Sequence, residues 1–159
     1  MLDGSIVAEA IADAGFTHVV WIPDSHLGTW EAAFEKSTLP LVRPTREGEA
    51  VAIAAGLIIG GARPLVLMQC TGFFEAGDAV RNVVFDLQLP LKIVVGVRSW
   101  QAVREGKSKD NCPAFAEPIV RAWGLPCSWI EPTADAKACR AAFVALAASD
   151  SAAVLLWAE

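Results

Sequence analysis

The chain of 159 residues carries a formal net charge of −5, is 54% hydrophobic and has a mean hydropathy of +0.42. No run approaches the roughly 18 apolar residues of a membrane span, and the scattered basic residues disfavour a nucleic-acid surface. Residues 1–5 lack the features of a signal peptide, so we expect a cytoplasmic protein with one domain over residues 1–159. So much apolar surface in a small water-soluble chain indicates burial against another subunit.

Six largely apolar strands alternate with helices along the chain. The strands are predicted at residues 17–22, 39–43, 65–69, 92–97, 127–130 and 153–157. Helices are predicted at 5–14, 27–36, 44–59, 77–87, 114–123 and 133–148, with a turn at 70–72 and a long loop at 98–113. This alternation predicts a parallel sheet covered on both faces. The expected fold class is α/β, a three-layer α/β/α sandwich with a six-stranded, mainly parallel sheet.

Polar side chains follow four of the predicted strands. They are Asp24, Ser25 and His26, then Arg46 and Glu47, then Gln69, Cys70 and Thr71, and finally Arg98 and Ser99. In open sheets of parallel strands, ligands bind at the carboxyl ends of the strands. The sequence therefore predicts a functional site at that edge.

The third helix begins with a charged cluster and is otherwise apolar on every side, which predicts that it is buried. Its carboxylates lie at the helix N-terminus, where the helix dipole favours negative charge. Glu47 is thus either a helix cap or a carboxylate held near a dry site. For the second of these roles, Glu49 is the local rival of Glu47.

Several other polar residues have two interpretations. Asp24 or Ser25 can form an Asx turn that caps the next helix, or can belong to a site. His26 is either a site residue or a surface cap, and Arg98 is either an anion-binding residue or an exposed loop arginine. His18 lies in the first strand, where a core or edge position is expected.

Motifs of several common enzyme classes are absent from the sequence. There is no GxGxxG fingerprint, no GxxxxGK[ST] loop and no GxSxG elbow. The four cysteines form no CxxC pair, which disfavours a zinc site, and we expect them to be reduced and buried. No metal site is predicted in this chain.

Three motifs, in order and spacing, resemble the pyrimidine-binding domain of thiamine diphosphate enzymes. They are Ile-Pro-Asp-Ser at 22–25, Arg-Glu-Gly-Glu-Ala-Val-Ala-Ile-Ala-Ala-Gly at 46–56, and Met-Gln-Cys-Thr-Gly at 68–72. The nearest resemblance is to phosphonopyruvate and sulfopyruvate decarboxylases. Gly96-Val97-Arg98 is similar to a strand end of that family. The sequence departs from the family pattern at Arg46 and Cys70, where Asn is usual, and at Ser99, where Gly is usual.

The resemblance implies a role for each matched residue. Glu47 would hydrogen-bond N1′ of the aminopyrimidine ring, favouring the imino tautomer whose 4′-nitrogen deprotonates C2 of the thiazolium. The apolar helix behind Glu47 would supply the dry surroundings that such a carboxyl needs. The remaining roles implied are catalysis by Asp24 and His26, cofactor binding by Gln69, Thr71 and Gly72, and substrate binding by Ser25, Arg46 and Arg98.

Family members hold the diphosphate through Mg²⁺ with a GDG motif, which this sequence lacks. The resemblance therefore implies that a separate diphosphate-binding β subunit holds Mg²⁺ in a hetero-oligomer. The chain would be the α subunit of a two-subunit thiamine diphosphate-dependent decarboxylase that converts sulfopyruvate to sulfoacetaldehyde and CO₂. The alternatives are a subunit acting on phosphonopyruvate or another 2-oxoacid, and a non-catalytic partner subunit with the same fold.

Overall fold

A computed structural model describes residues 2–159 and contains one six-stranded sheet. The strands are β1 (His18–Trp21), β2 (Leu41–Val42), β3 (Pro64–Gln69), β4 (Lys92–Val97), β5 (Cys127–Ile130) and β6 (Ala153–Ala158). They lie in the order β2-β1-β3-β4-β6-β5, and every neighbouring pair is parallel. The predicted fold class is confirmed, with a sheet that is entirely parallel.

Residues 2–159 contain eight α-helices, one before the first strand and seven between strands. They are α1 (Gly4–Asp13), α2 (Glu31–Lys36), α3 (Glu47–Ile59), α4 (Cys70–Glu75), α5 (Gly77–Arg81), α6 (Trp100–Arg104), α7 (Cys112–Ala122) and α8 (Ala136–Ala148). A 3₁₀ turn (Leu27–Trp30) precedes α2, and a π-helical turn (Asn82–Asp86) follows α5. Within residues 2–159, no helix has the length and apolar character needed to cross a membrane.

The strands are apolar throughout because both faces of the sheet are covered. In β3, Leu65 and Leu67 pack on one face, while Val66 and Met68 pack on the other, and all four are buried. A strand buried on both faces has a continuous apolar sequence and no polar alternation. The buried residues of α3, α4, α5 and α7 cover the Val66 face, and those of α1, α2 and α8 cover the other.

Two local predictions were wrong. Residues 70–72 begin helix α4 and do not form a turn, because the buried Phe73 anchors a short helix there. The segment 98–113 is not a continuous loop, since it contains α6 and the start of α7. The α6 helix is held by the Gln101 N–H, which donates to the Glu159 carbonyl at 2.9 Å, and by Arg104 stacked on the Trp100 ring.

The α3 helix is not buried on all sides. Ala50, Val51, Ala54 and Ala55 are buried, but Ala52 and Gly56 are exposed, and Ile59 is 71% exposed. One apolar side of α3 therefore faces outwards from this chain. Within this chain the sheet covers only one side of the helix, so burial of its other side in a larger body stays a prediction.

Candidate active site

The predicted polar groups lie at one edge of the molecule because all six strands run in the same direction. Asp24 follows β1, Gln69 ends β3 and Arg98 follows β4. Glu47 is the first residue of α3, the helix that leads from β2 back to β3. The chain reverses its direction of sheet growth between β1 and β3, the usual location of a ligand site in such sheets.

Glu47 lies against Gly72 at this edge. A Cβ atom added to Gly72 would overlap the Glu47 carboxyl group, so this glycine leaves space for that side chain. Glu47 is half-buried, and its carboxylate accepts no hydrogen bond from residues 2–159. It therefore has free acceptor oxygens at the mouth of the helix.

Glu49, not Glu47, closes the N-terminus of α3. The Thr45 N–H and hydroxyl each donate to Glu49 Oε2 at 2.7 Å. The hydrogen bond from the Thr45 hydroxyl, followed by the one from its N–H, lowers the pKa of Glu49. The capping interpretation thus applies to Glu49 and leaves Glu47 available for another role.

The segment from Gln69 to Thr71, at the end of β3, is held by an internal hydrogen bond and by a buried cysteine. The Thr71 hydroxyl donates to Gln69 Oε1 at 2.9 Å, with Gln69 half-buried and Thr71 exposed. Cys70 is completely buried, and burial raises the pKa of its thiol to about 12. The expected burial is confirmed for Cys70, Cys112 and Cys139, whereas Cys127 is only half-buried.

Asp24 has two carboxylate oxygens in different situations. Its Oδ1 accepts hydrogen bonds from the N–H groups of His26 and Leu27, at 2.7 and 2.8 Å, which is the predicted Asx-type cap. Its Oδ2 is buried and has no partner within residues 2–159. Ser25 and the His26 side chain are exposed beside it. Capping therefore accounts for only one of the two oxygens.

The two predicted substrate-binding arginines differ in their contacts. Arg98 Nε donates to Asp110 Oδ2 at 2.7 Å, and the N–H of Cys112 also donates to Asp110. The hydrogen bond from Cys112, followed by that from Arg98, holds the pKa of Asp110 well below its usual range. Arg46 is exposed next to Glu47, and its guanidinium forms no ion pair within the part of the chain that the structure describes.

Glu159 is a further acid at this edge that the sequence interpretation missed. It follows β6, and its carboxyl group lies on Gly96 of β4, where a Cβ would overlap it. Burial, followed by the charge of Asp24, raises the pKa of Glu159 to about 8, against the opposing effect of Arg98. The signal in the sequence was an acid directly after an apolar strand.

Solved structures resemble this chain in fold. The fold superimposes on benzoylformate decarboxylase from Polynucleobacter necessarius with a TM-score of 0.77 and 22% identity, over 99% of this chain and 30% of that one. The chain thus shares the three-layer α/β/α fold, with its parallel sheet, of the matched part of that enzyme. No protein-family profile matches the sequence.

Two curated relatives are similar to this chain in sequence. Sulfopyruvate decarboxylase of Methanosarcina acetivorans is 34% identical over 88 residues, which cover 54% of this chain and 22% of the relative. Sulfopyruvate decarboxylase subunit alpha of Methanococcus maripaludis is 27% identical over 93 residues, which cover 58% of this chain and 56% of the relative. The matched part is thus about a fifth of the first relative and about half of the second.

The site residues suit one end of thiamine diphosphate. A half-buried carboxylate with free oxygens, lying on a glycine, can accept a hydrogen bond from a protonated ring nitrogen. In residues 2–159, no group of three or more His, Cys, Asp or Glu side chains is arranged to hold a metal ion.

Proposed function

We propose that this chain is the pyrimidine-binding subunit of a thiamine diphosphate-dependent decarboxylase that converts sulfopyruvate to sulfoacetaldehyde and CO₂. The observation that carries the proposal is the free Glu47 carboxylate on Gly72, at the carboxyl edge of a pyrimidine-binding fold. The names of the two curated relatives support the choice of substrate.

Glu47 would hold the aminopyrimidine ring by sharing a proton with its N1′ nitrogen. When bound, thiamine diphosphate supplies a nucleophilic carbon for the keto group and accepts the electron pair left by CO₂. The residues of this chain would position that chemistry: Gly72 leaves space for the Glu47 carboxyl, and Gln69 and Thr71 lie in the same segment as Gly72. A fixed carboxyl within hydrogen-bond reach is what such proton sharing needs.

The anionic end of the substrate would meet an arginine. Arg46 is exposed beside Glu47 without an ion pair, while Arg98 keeps two terminal nitrogens beyond the Nε that bonds Asp110. A planar guanidinium binds a sulfonate and a phosphonate by the same paired hydrogen bonds. Phosphonopyruvate is therefore the second candidate substrate.

A partner chain would complete the site. In this proposal it binds the diphosphate and Mg²⁺, while this chain supplies the pyrimidine side, in keeping with the "subunit alpha" of one relative. The exposed apolar side of α3 gives such a partner a surface to cover.

Charge-removing substitutions at the two neighbouring acids test the proposal. With the partner chain present, we expect Glu47→Gln to lower the rate of sulfopyruvate decarboxylation by at least about 10²-fold, because a glutamine cannot share the ring proton. Glu49→Gln is the matched control, since Glu49 caps the helix, and should retain near-normal turnover. Equal activity of wild type and Glu47→Gln would instead favour a non-catalytic subunit.

A further inference from the structure

Asp110 holds Arg98 at the carboxyl edge of the sheet. The Arg98 Nε donates to Asp110 Oδ2 at 2.7 Å, and the Cys112 N–H donates to Asp110 Oδ1 at 3.0 Å. The Asp110 N–H in turn donates to Ser108 Oγ at 3.1 Å. Both carboxylate oxygens thus have a donor, and the Asp110 side chain is only 12% exposed. Asp110 is therefore fixed in one orientation, between the end of β4 and the start of α7.

The register of the sheet places Arg98 beside the proposed cofactor contact. Gln69 of β3 is paired with Gly96 of β4, and Arg98 follows that pairing by two residues. Gly72, which lies against the Glu47 carboxyl group, follows Gln69 by three residues. Arg98 and the contact between Glu47 and Gly72 therefore lie past the ends of two neighbouring strands.

The guanidinium of Arg98 keeps two terminal nitrogens without a partner in residues 2–159, and its side chain is 44% exposed. Burial and the charge of Asp24 raise the pKa of Glu159 and the charge of Arg98 opposes them, but the Glu159 carboxyl accepts no hydrogen bond from Arg98. The terminal nitrogens of an arginine lie in one plane and can donate together to two oxygens of one anion. Arg98 therefore has an unused pair of donors for an anionic ligand.

Arg46, the other candidate for the anionic end of the substrate, is not held in this way. It is exposed, and its guanidinium forms no ion pair with the described residues. A free arginine loses side-chain entropy when it binds a ligand, whereas a fixed arginine has lost that entropy already. Arg98 is therefore the better prepared of the two arginines.

We propose that Asp110 is a positioning residue that directs the two terminal nitrogens of Arg98 towards the sulfonate of the substrate. The inference rests on the proposed function, in which the substrate is a 2-oxoacid with an anionic tail, and it selects Arg98 over Arg46 for that tail. A sulfonate or a phosphonate offers the two oxygens that this arrangement binds, whereas the methyl group of pyruvate offers none. The arrangement thus favours 2-oxoacids with a tetrahedral anionic tail.

Kinetics of the complex with the partner chain test the role of Asp110. Asp110→Asn keeps an oxygen for the Cys112 N–H but leaves no second oxygen for Arg98 Nε. We expect its KM for sulfopyruvate to rise about tenfold, with kcat changed less than about twofold. The constant for pyruvate, measured as a KM or as an inhibition constant, should change less than about twofold. Equal losses for both compounds, or an unchanged KM for sulfopyruvate, overturn the proposal.

A double substitution shows whether Asp110 acts through Arg98. Arg98→Met should raise KM for sulfopyruvate by at least about tenfold, and adding Asp110→Asn to it should raise KM no further. Additive effects of the two substitutions overturn the positioning role. Asp13→Asn is the matched control, because it removes the ion pair of Asp13 with Arg140 in the layer of α1 and α8, and it should change neither KM nor kcat.

Calorimetry with 3-sulfopropanoate, a sulfonate without a keto group, tests the same contact without turnover. The wild-type complex should bind this compound about tenfold more tightly than the Asp110→Asn complex. Equal binding by the two complexes overturns the inference, whether or not sulfopyruvate is decarboxylated. If the wild-type complex decarboxylates no 2-oxoacid but still shows this difference, the proposed function fails and the role of Asp110 in anion binding is upheld.

Discussion

Two acids of this protein each rest on a glycine. Glu47 lies on Gly72 and Glu159 lies on Gly96, and in both places a Cβ would overlap the carboxyl group. Neither glycine has a positive φ, so backbone conformation does not demand it. The space for a neighbouring carboxyl group is the physical reason for a glycine at both positions.

Gly72→Ala should disturb the site more than the fold. The added methyl group must displace the Glu47 carboxyl, and overpacking of this kind costs about 1–3 kcal/mol. Calorimetry with the assembled complex should show weakened thiamine diphosphate binding, while denaturant unfolding of the chain alone shows only that modest loss. Unchanged cofactor binding in Gly72→Ala would contradict the contact described above.

Glu159 should make the stability of the chain depend on pH. Because its pKa is raised from 4.5 to about 8 on folding, the native state binds more protons than the unfolded chain between these values. Its contribution to stability is fully present below about pH 4.5 and is lost as pH rises through about 8. Between pH 5 and pH 9, the free energy of unfolding of the wild type should fall by about 2 kcal/mol relative to that of Glu159→Gln, allowing for solvent screening.

Urea unfolding of both proteins at several pH values measures this difference. The exposed Glu131 gives the matched control, because it lines a cavity of about 230 Å³ together with Glu159, and Glu131→Gln removes an acid there without removing a buried one. Parallel pH profiles of wild type and Glu159→Gln would show that Glu159 is charged in the native state.

At the scale of elements, α3 combines a functional N-terminus with an ordinary helical body. Gly56 lies in that body, and a Cβ there would meet nothing within 4 Å. Gly56→Ala should therefore raise the free energy of unfolding by roughly 0.5–1 kcal/mol, because alanine loses less backbone entropy in a helix. Denaturant unfolding measures the gain, and a loss of stability would show an unfavourable contact that this structure does not contain.

The regular elements were the most predictable from sequence. The bounds of β4 and β5 agree with prediction, because a strand covered on both faces is a continuous apolar run between turn residues. Helices α4 and α6 were missed because five or six residues have little helical preference of their own and depend on packing.

The site residues that lie in the sequence motifs or directly after a strand could be predicted from the sequence. The family motif favoured Glu47 over Glu49 as the acid of the site. The structure adds a physical reason, because the Thr45 N–H and hydroxyl both donate hydrogen bonds to Glu49. Glu159 escaped prediction because an acid directly after an apolar strand can be buried or solvated, and its local sequence does not decide between the two. Its burial comes from Gly96, a residue of another strand.

At the scale of the whole molecule, exposed apolar side chains concentrate on one layer. Five large hydrophobic side chains of the described residues are more than two-fifths exposed: Ile59, Phe85, Leu87, Phe115 and Val144. The first four lie on or directly after α3, the π-helical turn and α7, and only Val144 lies on α8, in the opposite layer. The α3 layer is therefore the surface that best suits the proposed partner chain.

Lysine substitutions in the two layers should separate assembly from folding. Ile59→Lys places a charge on the α3 layer and should weaken binding of the partner chain by roughly tenfold or more, because a buried unpaired charge is costly. Val144→Lys changes a similarly exposed side chain on α8 and should leave binding intact. Sedimentation of the mixed chains measures both, and equal binding by the two variants would place the partner elsewhere.

The contact between Glu47 and Gly72 also makes these two positions mutually dependent. A methyl group at residue 72 is harmful only while a carboxyl group occupies the space above it. In a Glu47→Ala background the same methyl group has room, so the effects of the two substitutions on stability should not add. The residue at one position thus decides which substitutions are tolerated at the other. Once Glu47 has been replaced by a small residue, Gly72 can be replaced by alanine with little loss of stability.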